Sequence, residues 1–403
     1  MCKKYSSRNT RKHGYLFWLG IFLLLVPGLV HAYFLMPFPG SQDRETIVFC
    51  YYLEKLVLPL RGVGALLVLV YIFGYFGRTS KGNKWFKVIV LLLCISSYYI
   101  TDVMFSAQQM FKEPQSLFMA DAKHNKVPYN YVVLGVTQGG VAKAYPLIYL
   151  GYHHKVQDNI GSQPILVTYC TMCRTGRVYN PVVNGKRQNF RLVGARHYNA
   201  VIEDAGTGTW WYQATGEAAA GPLKGQHLQE LPYEQATLGE WLLKHPNSLI
   251  MQPDETFNDD YADLKGYDHI QAVDKDTSIK NKDAQLRKSW VVGLIINKQP
   301  KAYNWRRLVK NGPLNDSIGS TLVLVAIESD TTTFHAWSRI VDGKPLSFKL
   351  NNGQLADVQT ASVWDWDGVC TAGVYKGRRL SKIQAYQEYW HSWKHFHPGT
   401  LYW

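Results

Sequence analysis

Two cysteines and two histidines carry the chemistry that this chain advertises. Cys170 and Cys173 stand in VTYCTMCRTGRVYNP, while His153 and His154 stand just upstream in YHHKVQD. A Cys-x-x-Cys spacing sets two sulfurs on one metal ion or closes a small redox-active disulfide. The neighbouring Arg174 and Arg177 favour thiolate over thiol, which serves either chemistry. One imidazole of His153 or His154, both thiolates and a fourth donor such as His197 or an oxygen ligand would make a tetrahedral or trigonal site for a transition metal, namely copper, zinc or iron. The bland alternative is a structural disulfide between Cys170 and Cys173 in an oxidising compartment. A thioredoxin-like site is disfavoured: that fold opens a helix directly after the strand, whereas RTGRVYNPVV reads as turn and strand.

The elements that position these residues occur twice. VVLGVTQGGVAKAYP (Val132 to Pro146) resembles WVVGLIINKQPKAYN (Trp290 to Asn304), and DNIGSQPILV from Asp158 resembles DSIGSTLVLV from Asp316. GTWWYQATGEAAAGPLKGQHL (Gly208 to Leu228) resembles ASVWDWDGVCTAGVYKGRRL (Ala361 to Leu380), and WLLKHPNSLIM from Trp241 resembles WKHFHPGTLYW from Trp393. Matching blocks in one order with nearly constant spacing point to duplication. Their short runs of Val, Ile, Tyr and Thr, broken by Gly, Asn and Pro, read as strands. The expected fold class is therefore a mainly-β domain with short helices, made of two pseudo-symmetric repeats. After the shared strand the second copy reads VAIESDTTTFHAWSR, with Glu328 opposite Cys170 and Thr331 opposite Cys173. Leu308 to Gly312, opposite the histidine pair, has no histidine. A fold that tolerates losing both thiols keeps them in its first copy for chemistry rather than packing.

Ahead of the repeats the composition changes. Tyr15 to Phe34, Val57 to Phe76 and Trp85 to Met104 are apolar runs, each close to the ~20 residues that cross a bilayer core. Arg61, near the start of the second, is expected to snorkel. A cleaved signal peptide competes for the first run, and the two later runs favour a retained anchor. Lys3, Lys4, Arg8, Arg11 and Lys12 precede the first run, and Arg78, Lys81, Lys84 and Lys87 separate the second from the third. The positive-inside rule assigns both clusters to the cytoplasm and everything after about Phe105 to the outside. The expected organisation is a basic tail (1–14), three transmembrane helices (15–104), a connecting segment (105–128), repeat 1 (129–253), a polar inter-lobe segment (254–289) and repeat 2 (290–403).

The net charge of +14 does not make this a nucleic-acid binder, because much of the excess lies in the two clusters flanking the helices and no basic run follows. A hydrolase has no support from G-x-S-x-G, H-E-x-x-H or P-loop patterns. Trp210, Trp211, Trp364 and Trp366 are expected to pack, and His245 and His397, each before Pro, to be structural. Asp365 and Asp367 read as turn residues. Cys2 and Cys94 carry no argument, while Cys50 and Cys370 either pair or stay buried.

The combined blocks resemble a bacterial family known as domain of unknown function 3179. The resemblance rests on KAYPLIYLGYHHKVQDNIG, PILVTYCTMCRTGRVYNP and YNAVIEDAGTGTWWYQATGEAAAGPLKG, roughly Val132 to Gln252, and more loosely on Trp290 to Trp403. It implies an exported or membrane-anchored protein and supports Cys170, Cys173 and His153 as the shared site; His154 stands where the family pattern is acidic. It implies no reaction. The leading expectation is a metal-dependent or thiol-dependent oxidoreductase anchored in the bacterial inner membrane, its domain periplasmic. Its partners would be the lipid bilayer and an unknown small molecule or extracytoplasmic protein. The runner-up is a non-catalytic module for a glycan, lipid or protein, with Trp210, Trp211 and Tyr212 as a stacking platform and a structural Cys170–Cys173 disulfide.

Overall fold

The computed structural model describes residues 13–78, 80–269 and 288–403. The basic residues Lys3 to Lys12, Cys2 and the 270–287 stretch of the inter-lobe segment lie outside the described residues. The chain divides into two compact units, one built from Met1–Lys112, Phe190–Tyr212 and Glu217–Gln226, the other from Glu113–Asn189, Gln213–Gly216 and His227–Trp403.

In the first unit, helices α1 (Gly14–Leu35), α2 (Ile47–Tyr75) and α3 (Lys81–Met104, its last turn a π-helix from Tyr99) are each long and apolar enough to cross a membrane. The first two cross on glycine. A Cβ on Gly20 would lie 2.7 Å from the Gly64 carbonyl, and one on Gly64 would lie 2.8 Å from that of Gly20. Small residues at such a seam let two backbones approach closely. Helix α2 starts at Ile47 rather than Val57, because IVFCYYLEK sustains helical bonding after Thr46 without being apolar throughout. Arg61 consequently sits in mid-helix and is held by protein partners. Its guanidinium makes bidentate contacts of 2.7 and 2.8 Å with Asp102 of α3 and donates to the Leu24 carbonyl of α1 at 3.3 Å.

The same unit holds a four-stranded antiparallel sheet of Phe190–Arg196, Asn199–Asp204, Trp210–Tyr212 and Ala218–Ala220. Arg196, fully buried, donates to the carbonyls of Phe34 (2.9 Å) and Ser41 (2.7 Å) in the turn between α1 and α2. Arg191 bridges Glu203 and Glu54. Trp210 and Trp211 are 1% and 2% exposed, with their indole N–H groups on Glu203 and Asp204. They form no stacking platform; as the packing expectation held, they fill a core.

The second unit contains two similar sheets. One orders Met119–Ala120, Leu249–Met251, Val141–Pro146, Val132–Gln138 and Glu234–Thr237; the other orders Leu401–Tyr402, Gln299–Asn304, Trp290–Ile296 and Ala385–Tyr389. In both, the strand after the closing helix pairs in parallel with the second strand of the opening hairpin: Leu249 with Lys143, and Leu401 with Lys301. Each closing helix drives a tryptophan onto a glycine. A Cβ on Gly135 would meet Trp241 at 2.2 Å, and one on Gly293 would meet Trp393 at 2.1 Å. Two three-stranded meanders follow the same rule, Lys155–Ile160, Gln163–Cys170 and Thr175–Tyr179 in one half, Leu314–Ile318, Thr321–Ile327 and Phe334–Ser338 in the other. Their first turns need φ > 0, which Gly161 (58°) and Gly319 (56°) adopt without Cβ strain. The chain thus has three long apolar helices and a mainly-β domain with short helices.

Candidate functional site

The cysteines occupy the turn between the second and third strands of the first meander. Backbone pairing of Cys170 with Thr175 closes the turn, and Arg174 takes the left-handed conformation (φ 56°) that reverses the chain. The Cys173 Sγ lies 3.7 Å from the Cys170 carbonyl, and both residues are fully buried. Among the described residues no disulfide joins two cysteines. Burial first, then the adjacent Cys170 thiol, pushes the Cys173 thiol well above its usual range.

That result corrects the expectation that Arg174 and Arg177 activate the thiols. Both guanidiniums are buried and engaged elsewhere. Arg174 donates to Gln387 (2.9 Å) and to the carbonyls of Tyr267 and Asp268 (2.6 Å each), and stacks 3.5 Å above the Trp290 ring. Arg177 pairs with Glu388, lies 3.6 Å from Glu230 and sits over Tyr386 at 4.1 Å. Glu388 adds negative potential that further raises the Cys173 pKa. Two segments cover the turn: the Tyr267 hydroxyl donates to the Thr171 carbonyl (2.7 Å), and the Tyr389 N–H donates to the Cys173 carbonyl (2.8 Å).

The two histidines reach the same end of the meander by backbone register, with the Tyr169 N–H donating to the His154 carbonyl at 2.9 Å. Their imidazoles have other partners. His153 Nε2 is 2.7 Å from the Tyr261 hydroxyl, with Phe257 edge-on at 5.2 Å. His154 caps the helix Leu147–His153 at φ 61°, its Nδ1 3.2 Å from the Tyr152 carbonyl, and burial takes its pKa down to about 4. Among the described residues no group of three or more His, Cys, Asp or Glu side chains is disposed to hold a metal. Cys170, Cys173, His153 and His154 are not gathered into such a group among the described residues. His197, the suggested fourth ligand, instead lies 3.0 Å from Glu45 in the other unit.

The second half carries a constellation that sequence reasoning passed over. Glu328, the counterpart of Cys170, has its Oε1 2.6 Å from His335 Nε2. His335 stands where the first half has Arg177: its pairing with Ala326 repeats that of Arg177 with Thr168. The imidazole lies nearly parallel to Trp337 and Trp366, at 4.9 and 5.9 Å. Lys244 is 3.3 Å from Asp367 and 3.9 Å from Glu328. Burial, opposed by Lys244 and helped by Asp330 and Asp367, raises the Glu328 carboxyl to about 7, while burial lowers His335 to about 3. The available signal was an acid and a histidine at facing ends of one hairpin. Asp365 is a turn residue as expected, accepting from the N–H groups of Asp367 (3.0 Å) and Val369 (2.8 Å).

One family profile, described as a protein of unknown function (DUF3179), matches residues 115–400. No curated protein and no solved structure matches the chain.

Proposed function

We propose that this chain, which belongs to the DUF3179 family of proteins of unknown function, is a membrane-anchored thiol oxidoreductase with Cys170 and Cys173 as its exchanging pair. The observation that carries the reading is the pairing of two cysteines within one closed turn of one half, where the matching turn of the other half has Glu328 and Thr331. In the forward step a small-molecule or protein disulfide R–S–S–R is the oxidant. One thiolate, formed by loss of its proton to solvent, attacks a sulfur of R–S–S–R and expels the first RS⁻, which takes up a proton. The second cysteine, deprotonated in turn, attacks the mixed disulfide and expels the second RS⁻. The pair loses two electrons and two protons, R–S–S–R gains them, and two RSH leave.

The raised Cys173 pKa disfavours its thiolate in the closed turn, so exchange requires the covering segments at Tyr267 and Tyr389 to lift. Three long apolar helices supply the anchor. Arg78, between α2 and α3, and Lys81, Lys84 and Lys87, in the first two turns of α3, favour the cytoplasmic side at this end of the helices, which leaves the domain on the oxidising, periplasmic side of a bacterial inner membrane.

The test is anaerobic purification of the full chain, followed by thiol alkylation across a series of glutathione buffers and metal analysis of the same sample. Reversible, two-electron loss of alkylation at Cys170 and Cys173 together is expected, with metal far below one ion per chain. A pair that stays in one state across the whole buffer range, or stoichiometric bound metal, defeats the proposal.

A further inference from the structure

The second step of thiol exchange needs a thiolate on a cysteine that the chain seals from water. Cys173 is fully buried, so its proton needs an acceptor inside the protein. Glu388, itself fully buried, stands beside it. The Tyr389 N–H that roofs the turn meets the Cys173 carbonyl at 2.8 Å, and the charge of the preceding residue, Glu388, acts on the Cys173 thiol. Thr175 links the two: its hydroxyl lies within hydrogen-bonding reach of both the Cys173 thiol and the Glu388 carboxyl, and donates to the Cys173 carbonyl at 3.3 Å. Of the Glu388 oxygens, Oε1 meets Arg177, whereas Oε2 makes no well-formed hydrogen bond among the described residues. A buried acceptor without a donor is costly, and a transferred proton satisfies it.

The duplication shows that the acid is no demand of the scaffold. Glu388 lies five residues before Trp393 and pairs with Val291; Ala236 lies five residues before Trp241 and pairs with Val133. The strands that carry them cross over, each reaching the turn of the opposite half. Tyr389 donates to Cys173, and its counterpart Thr237 donates its N–H to the Thr333 hydroxyl at 3.3 Å. The carboxyl therefore belongs to the strand that covers the cysteines, and an alanine takes its place in the strand that covers the turn of Glu328 and Thr331.

We propose that Glu388 is the internal proton acceptor for Cys173, with the Thr175 hydroxyl as relay. Resting on the thiol-exchange reading, this assigns Cys170 the first attack and Cys173 the second. Once Cys170 holds the mixed disulfide with R–S, the Thr175 hydroxyl turns from the Cys173 carbonyl, passes its proton to Glu388 Oε2 and takes the proton of Cys173. The Cys173 thiolate then attacks the Cys170 sulfur. The Cys170–Cys173 bond forms, the bond to R–S breaks, and RS⁻ leaves to take up a proton from solvent. Glu388 holds its proton until the open turn returns it to solvent.

The reduced full chain, in lipid nanodiscs, is mixed with one equivalent of dithiobis(nitrobenzoate), and thiolate release is followed by stopped-flow absorbance. The double variant Cys170→Ser/Cys173→Ser supplies the signal of the remaining cysteines. The parent is expected to release thiolate in two phases, the second marking closure of the Cys170–Cys173 bond. Glu388→Gln is expected to slow the second phase about a hundredfold and Thr175→Val about tenfold, the first phase unchanged in both. Thr175→Val leaves the Arg177–Glu388 pair in place, so it decides the matter if Glu388→Gln does not fold by circular dichroism. A folded variant of either kind whose second phase keeps the parent's rate overturns the proposal, and so does equal slowing of both phases, the mark of a purely structural role. A parent that shows no second phase defeats the thiol-exchange reading itself, and the assignment of Glu388 falls with it.

Discussion

The two meanders of the second unit share a backbone and differ in what their turns hold. In the first, Cys170 pairs with Thr175 and Arg177 faces Glu388; in the second, the Glu328 N–H donates to the Thr333 carbonyl (2.8 Å) and His335 faces Glu328. The first turn is roofed by Tyr267 and Tyr389, whereas His335 of the second lines a cleft. One scaffold thus supports a sealed sulfur pair in one place and, in the other, a buried acid–imidazole pair whose histidine borders a cleft. The difference lies in the segments that close over each turn, since the hairpins beneath them have matching register.

The largest test of this contrast is Arg177→Met. It leaves Glu388, which is fully buried, without its cation, and removing one partner of a buried pair costs about 3–5 kcal/mol. His335→Gln removes no buried formal charge and is expected to cost much less. Thermal or urea unfolding followed by tryptophan fluorescence compares them, and equal losses would mean that the two positions do the same job.

A smaller effect is expected from Gly135→Ala and Gly293→Ala, whose methyl groups would lie 2.2 and 2.1 Å from Trp241 and Trp393. Overpacking of this kind costs about 1–3 kcal/mol. The two variants should lose similar stability, so a wide gap between them would argue that the halves are not equivalent scaffolds.

A third effect is the pH dependence that Glu328 contributes. The Glu328 carboxyl is raised from its ordinary value near 4.5 to about 7 by burial, so the folded state holds this proton more tightly than the unfolded chain. Its contribution to stability is fully present below about pH 4.5 and is lost as pH rises through about 7. Glu328→Gln should flatten the unfolding midpoint over that window, read from melting curves at a series of pH values. A midpoint that keeps the parent's slope in Glu328→Gln would assign the titration to another group.

Much of the architecture was legible because it depends on local pattern. Apolar runs marked three helices long enough to cross a membrane, although Ile47 showed that helical bonding extends beyond the apolar stretch. Runs of Val, Ile, Tyr and Thr broken at Gly161 and Gly319 marked strands of the meanders. The Cys170–Cys173 spacing was visible because both sulfurs belong to one turn. Partners were a different matter: His153 was read with the cysteines beside it, yet its imidazole meets Tyr261.

What the amino-acid order alone determined is therefore every feature whose energy is settled within one element: the apolar helices, the hairpins, the left-handed turn residues and the cysteine turn. Tertiary structure decided which side chain meets which. It withdrew Arg174 and Arg177 from the thiols to Gln387 and Glu388, sealed the sulfurs beneath Tyr267 and Tyr389, and set His335 between Trp337 and Trp366. The physical reason is that a buried charge or donor must find a partner wherever the packed chain supplies one, and here those partners come from segments far away in sequence.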